Sequence, residues 1–167
     1  MLSRVMTFRL ARNDEHPRLE SMIVASFEPI TWFKKLDARF GPMNGCDWRA
    51  RWRQRLDKVF ASQVILVGEE DGEVVAAATA SLEQDTRLGF VDLLAVHRDH
   101  QRRGYGRLML RGMLDHLRTL GAEHVHLECL ADNDAGNALY ESEGWTEVAR
   151  SVKWFIRLDS SDAKKSA

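Results

Sequence analysis

Phe90-Val91-Asp92-Leu93-Leu94-Ala95-Val96 is an apolar, strand-like run; Gln101-Arg102-Arg103-Gly104-Tyr105-Gly106-Arg107 comes shortly after it, and an amphipathic run from Leu108 to Leu120 follows. Strand, glycine-rich turn and helix in this order outline a phosphate cradle. The first amides of a helix lack an acceptor one turn earlier and lie at the positive end of its dipole. An anion belongs there. Gly104 and Gly106 let the backbone approach phosphate oxygens, and Arg102, Arg103 and Arg107 add charge that can pair bidentately with them. Two other nucleotide motifs are absent: no Gly-x-x-x-x-Gly-Lys-Ser/Thr occurs, and no Gly-x-Gly-x-x-Gly is followed by an acidic residue after the next strand. Glycine and arginine also cluster in solvated turns, so the turn alone leaves both readings open.

The second half of the pattern lies downstream, in Asn133-Asp134-Ala135-Gly136-Asn137-Ala138-Leu139-Tyr140-Glu141-Ser142-Glu143-Gly144-Trp145. This reads as a short helix ending on a glycine and an aromatic. Together the two segments resemble the GNAT superfamily of N-acetyltransferases. The family pattern is Gln/Arg-x-x-Gly-x-Gly/Ala after a strand, then Asn-x-x-Ala-x-x-Leu-Tyr-x-x-x-Gly-Phe/Trp. The likeness runs over roughly residues 64 to 158, a domain-sized span. Gly136 departs from the usual Ala, which keeps the close packing and lowers helix propensity.

Composition sets the outer bounds. The 167 residues are 44% apolar and 29% charged, enough for one domain with a real core. The expected division is a single acetyltransferase domain over 1–158 and a disordered polar tail over 159–167. A net charge of −1 offers no global field for nucleic acid or membrane, so no partner of either kind is expected. Cys46 and Cys129 are too few for a disulfide framework, which fits a reducing cytoplasm. No apolar run approaches the ~20 residues of a membrane span, and Met1 to Arg12 carries charges where a signal peptide needs an apolar segment.

In chain order, Thr7 to Leu10 reads as a strand, and Asn13-Asp14-Glu15-His16-Pro17 supplies a cap and an N-terminal proline for a helix through Phe27. Ile30 to Cys46 has mixed signals and is left unplaced. Asp47 caps a helix to Phe60 whose stripe is Trp48, Trp52, Leu56 and Val59, with Arg49, Arg51, Arg53 and Arg55 on the other faces. Those arginines read as a solvated face, as a nucleic-acid surface interleaved with tryptophan, or, by the family likeness, as selectors of an anionic acceptor. Val64–Glu69 and Glu73–Leu82 form a hairpin across Asp71-Gly72. The long helix turns Met109, Leu110, Met113, Leu114, Leu117 and Leu120 to the sheet and ends at Gly121. His124–Leu130 is the next strand, and Thr146–Ala149 with Val152–Leu158 a closing hairpin. These readings give an α/β (α+β mixed sheet) fold with about six to seven strands and about four helices.

The resemblance implies acetyl-CoA as co-substrate, no metal, and direct transfer of acetyl to an amine. The pyrophosphate would lie on the segment from Gln101 through Arg102, Arg103, Gly104, Tyr105, Gly106 and Arg107. The pantetheine would run beside Leu94, Ala95 and Val96, in a gap between two strands where a main-chain N–H polarises the thioester. Tyr140 falls on the family's general-acid position, and Asn133, Ala135 and Asn137 on its cofactor path. For the base, Asp92 on the central strand leads, with Glu128 or water alone as alternatives. His124, His126 and Glu128 share one strand face but would line up along the chain rather than converge on an ion. Dimers are common in the family, so a homodimer is open. A non-catalytic acyl-CoA-binding module is the alternative to an enzyme, and the acceptor amine is not readable.

Overall fold

A computed structural model describes residues 5–158; the tail expected to be disordered at 159–167 lies outside them. The chain divides into two compact units, one up to Leu130 and one from Ala131 onward.

The first unit holds one five-stranded sheet in the order β1 (Thr7–Leu10), β2 (Val64–Glu70), β3 (Glu73–Glu83), β4 (Leu88–Val96), β5 (His124–Leu127). Neighbours are antiparallel except β4 and β5, which are parallel. The β2–β3 hairpin turns on Asp71 (φ 51°) and Gly72 (φ 79°), both in the left-handed region that a tight primed turn requires. Helices cover both faces. On one lie α1 (His16–Phe27), α2 (Trp32–Phe40) and α3 (Trp48–Ser62), on the other α4 (Tyr105–Thr119). Strand β3 is buried from Val74 through Ala80 because its two sides feed two cores. Leu19, Ile23, Trp52 and Leu56 pack with Val67, Ala77 and Leu93; Tyr105, Met109, Met113 and Leu117 pack with Leu66, Ala78 and Val91.

The expected tryptophan stripe is the buried face of α3, and Asp47 caps that helix by accepting the Ala50 N–H at 2.8 Å. Helix α4 begins at Tyr105, three residues before the amphipathic run. It lies close on the sheet at Gly112, where an added Cβ would run into the Phe8 ring of β1.

Three expectations change. The unplaced segment contains α2, capped by Thr31 and closed by Gly41 at φ 76°, so the described residues hold five α-helices. Residues 13–15 form a 3-10 turn rather than the cap of α1, which starts at His16. The closing hairpin is not formed: among the described residues 146–158 enter no ladder, β5 stops at Leu127, and the sheet has five strands rather than six or seven. Val148, Trp154 and Leu158 do alternate, but each is about nine-tenths exposed. Arg150-Ser151 between the two halves lacks the Gly, Asn or Asp that a tight hairpin turn needs. No helix among the described residues is long and apolar enough to cross a membrane.

Candidate functional site

Strand β4 is the origin of the site. Its register against β3 slips between Thr79↔Leu93 and Ala80↔Val91, which leaves Asp92 as the extra residue of a bulge. The side chains record the slip: Leu93 and Ala95 belong to the α1–α3 core, whereas Val91, two residues before Leu93, belongs to the α4 core. On the other edge, the ladder to β5 runs from Leu88↔His124 to Val91↔Leu127 and goes no further. Bulge and ladder end coincide.

The direction of the main chain beyond that point follows from one bond. The His97 N–H donates to the Val75 carbonyl of β3 at 2.8 Å. Peptide groups alternate along a strand, so Leu93 and Ala95 also address β3, and the N–H groups of Leu94 and Val96 address the opposite edge. Gln101 closes onto the same edge, its side-chain amide donating to the Val96 carbonyl at 3.2 Å.

From β4 the chain makes a 3-10 turn at Arg98–His100, passes Arg102 at φ 61°, and enters α4 through Gly104 at φ 83° and ψ 3°. Only glycine holds that left-handed conformation without strain. The first helical bond is from the Leu108 N–H to the Gly104 carbonyl, 3.2 Å, so the amides of residues 105–107 point out of the helix start. Arg102 and Arg103 are exposed, and Gly106 and Arg107 half-buried. Tyr105 departs from its neighbours. Its ring is 2% exposed, its hydroxyl donates to Glu70 at the end of β2, and His100 meets it edge-on at 5.7 Å. Its side chain therefore anchors the loop to the sheet.

Asp92 sits on the site strand but is engaged from α3. Arg55 Nη2 donates to Oδ1 at 2.6 Å and Gln63 Nε2 to Oδ2 at 2.9 Å. Arg55 also lies over the Trp52 ring, 5.0 Å from its centroid. The other arginines of α3 have carboxylate partners too: Arg49 with Glu28 at 3.4 Å, Arg51 with Asp37 at 2.7 Å, Arg53 with Glu20 at 3.5 Å. These charges are spent within the fold. Sequence reasoning missed the Arg55–Asp92–Gln63 contact. Its one visible sign was an acidic residue inside an apolar strand.

In the second unit, α5 (Asp134–Ser142) carries the downstream motif. Asn133 caps it, its side-chain oxygen accepting the Gly136 N–H at 3.2 Å, and the Asn137 amide donates to the Asn133 carbonyl at 3.1 Å. Ala135 is exposed and Tyr140 half-buried. Gly144 at φ 83° ends the helix, and the Trp145 N–H returns to the Tyr140 carbonyl at 3.0 Å. That six-to-one bond turns the Trp145 ring edge-on to Tyr140, with centroids 6.0 Å apart. His124, His126 and Glu128 are exposed, and the His126 ring lies tilted against Phe90 with centroids 4.8 Å apart. Among the described residues no three His, Cys, Asp or Glu side chains are gathered to hold a metal.

Comparison with known proteins agrees with this geometry. The acetyltransferase (GNAT) family pattern matches residues 32–145. The [ribosomal protein bS18]-alanine N-acetyltransferase of Salmonella typhimurium is 48% identical over 55 residues, 33% of this chain and 37% of that one. Its Escherichia coli K12 counterpart is 37% identical over 90 residues, 54% of this chain and 60% of that one. The chain thus spans between a third and three fifths of the length of these relatives. Among solved structures, AAC(6')-Iy bound to the bisubstrate analogue CoA-S-monomethyl-acetylneamine superposes with a TM-score of 0.65 at 12% identity, covering 92% of this chain and 99% of that one.

Proposed function

The chain belongs to the acetyltransferase (GNAT) family, and from that premise we propose that residues 1–158 work as one cytoplasmic domain that transfers acetyl from acetyl-CoA directly to a primary amine of a small molecule or protein. One observation carries the reading: a single strand–loop–helix unit has a helix start at Gly104 whose first amides point outward and, on the adjoining strand, donors at Leu94 and Val96 beyond the end of a ladder. The fit to a phosphate-bearing thioester is chemical. The left-handed Gly104 and the outward amides of residues 105–107 suit a diphosphate, aided by Arg102, Arg103 and Arg107. Gln101 holds the loop against Val96. An extended amide-bearing arm can pair with Leu94 and Val96 as a further strand would, past Ala95 between them.

When bound, acetyl-CoA supplies an activated acyl group on a sulfur leaving group. The protein's part is positional and electrostatic. An N–H on the free edge of β4 stabilises negative charge on the thioester oxygen. Tyr140, a neutral hydroxyl held by the Gly144–Trp145 turn, donates a proton to the departing sulfur. Asn133 and Asn137 fix the start of α5 that carries it, with Ala135 on the cofactor's path. The amine must shed a proton before it attacks. Arg55 and Gln63 tie both oxygens of Asp92 to α3, and in this reading water, rather than Asp92, takes that proton. The amines named for the relatives, a ribosomal-protein alanine and an aminoglycoside-like analogue, set the first acceptors to try.

The test is calorimetry with coenzyme A, then free-thiol release from acetyl-CoA with an Ala-starting peptide, lysine, spermidine and neamine. Coenzyme A should bind, one amine should drive thiol release, and Tyr140→Phe should lower kcat about a hundredfold with little change in the acetyl-CoA KM. No heat with coenzyme A would remove the reading. Binding without turnover on any amine would leave a non-catalytic acyl-CoA-binding module.

A further inference from the structure

We propose that Arg55 and Gln63 of α3 are positioning residues for this reaction: they hold the Asp92 carboxylate at the extra position of the β4 bulge and thereby aim the N–H groups of Leu94 and Val96. Asp92 then acts through the strand and not as a proton acceptor. The proposal rests on the reading of the β4 edge as the thioester's seat.

A bulge leaves one residue outside the ladder and increases local twist, so the direction of the next peptides depends on what holds that residue. Here it is held at two points. Arg55 takes one oxygen at 2.6 Å and Gln63 the other at 2.9 Å, which fixes the plane of the carboxylate as well as its position. The side chain of Asp92 is 11% exposed and that of Arg55 36%, so the pair is only partly screened by solvent. The base of the clamp is rigid. Trp52, Leu56 and Val59 of α3 are buried in the core, the Trp52 indole N–H donates to Thr31 at 2.9 Å, and Gln63 is the residue that ends the helix. A shift of α3 would therefore be transmitted to the first peptides past the bulge, where β5 no longer supports the strand.

Thiol release is measured on the full chain with the amine that gives turnover, and coenzyme A binding by calorimetry, for wild type, Arg55→Ala, Arg55→Lys, Gln63→Ala, Asp92→Asn and the Arg55→Ala/Asp92→Asn double variant. We expect Arg55→Ala and Asp92→Asn each to raise the acetyl-CoA KM about tenfold and to leave the amine KM within about twofold. Arg55→Lys should recover part of the loss, and the double variant should be no worse than either single one. The acidic limb of the pH–rate profile should keep its position in Asp92→Asn. Gln63→Ala, which removes one bond at a helix end, gives the same split at smaller size if Arg55→Ala fails to fold. Loss of the acidic limb in Asp92→Asn would overturn the proposal by making Asp92 the base. So would additive losses, or a fall in kcat with both KM values unchanged, the mark of fewer folded molecules. A wild type that gives no heat with coenzyme A overturns the functional reading along with this proposal; a wild type that binds while all four single variants match it overturns this proposal alone.

Discussion

Arg9 and Arg55 each pair with a carboxylate on a strand, and the surroundings give the two clusters different work. Arg9 on β1 reaches Glu69 on β2 and Glu15 in the turn before α1, each at 2.6 Å. The strands it joins are already in continuous register from Thr7↔Glu69 to Leu10↔Leu66. Arg55 reaches the one residue of β4 that has slipped out of register, at the point where the ladder to β5 stops. A charge pair across the unbroken β1–β2 ladder contributes stability; the register shift of β2 at Gly68/Glu69 lies on its other edge, against β3. The same pair placed where the ladder fails sets a direction.

If this contrast is right, damage at Arg9 should appear in melting and damage near the β4–α4 junction in binding. Arg9→Ala should lower stability by about 2 kcal/mol, since it leaves two carboxylates without their shared partner. Activity per folded molecule should be unchanged. Denaturant unfolding paired with thiol release reads both, and a large rise in acetyl-CoA KM would break the comparison. Gly104→Ala is the counterpart. Its φ of 83° disfavours any Cβ by about 1–2 kcal/mol, and the helix start should relax away from the anion. About a tenfold weaker coenzyme A affinity is expected by calorimetry, with a melting temperature lowered by only a few degrees. Gly112→Ala sharpens the contrast from the β1 side. Its Cβ would meet the Phe8 ring, a cost of about 1–2 kcal/mol partly offset by better helix propensity, and its effect should be confined to stability.

The parts of the molecule legible in the sequence are those set by local chemistry. Asp71-Gly72 specifies its own turn, Asp47 its own cap, and the 3.6 periodicity of Trp48, Trp52, Leu56 and Val59 its own buried face. The glycine turn into α4 was legible for the same reason, because glycines and a helix start act through the main chain. Pairwise properties were not. A bulge exists only relative to a partner strand, so nothing in residues 90–96 alone marks Asp92 as the slipped position. The clamp joins residues 37 and 29 positions apart. Helix α2 was unreadable because its anchors are also remote, with Asp37 accepting the Trp48 N–H at 2.6 Å and pairing with Arg51. The hairpin expected at 146–158 failed in the opposite sense: alternation is necessary for a half-buried strand but does not supply the partner or the turn.

The smallest effect tests the Arg9 cluster through pH. Hydrogen bonding from Arg9, and then the Arg12 N–H at 2.8 Å, outweigh partial burial and hold the Glu15 carboxyl at about 2, well below its ordinary 4.5; Arg9 itself is pushed further up. A carboxyl depressed in the folded chain binds its proton more readily when unfolded. Its stabilisation is therefore complete above about pH 4.5 and is lost as pH falls towards 2. Arg9→Ala removes the largest cause of the depression, so its melting temperature should lie a few degrees below that of wild type at neutral pH. The gap should narrow steadily below about pH 4.5, where Glu15 takes up a proton in the variant and in the unfolded chains while folded wild type holds it ionised down to about 2. A gap that stayed constant down to the acid transition would mean that Arg9 contributes through the packing of its side-chain stem on β1 and not through charge.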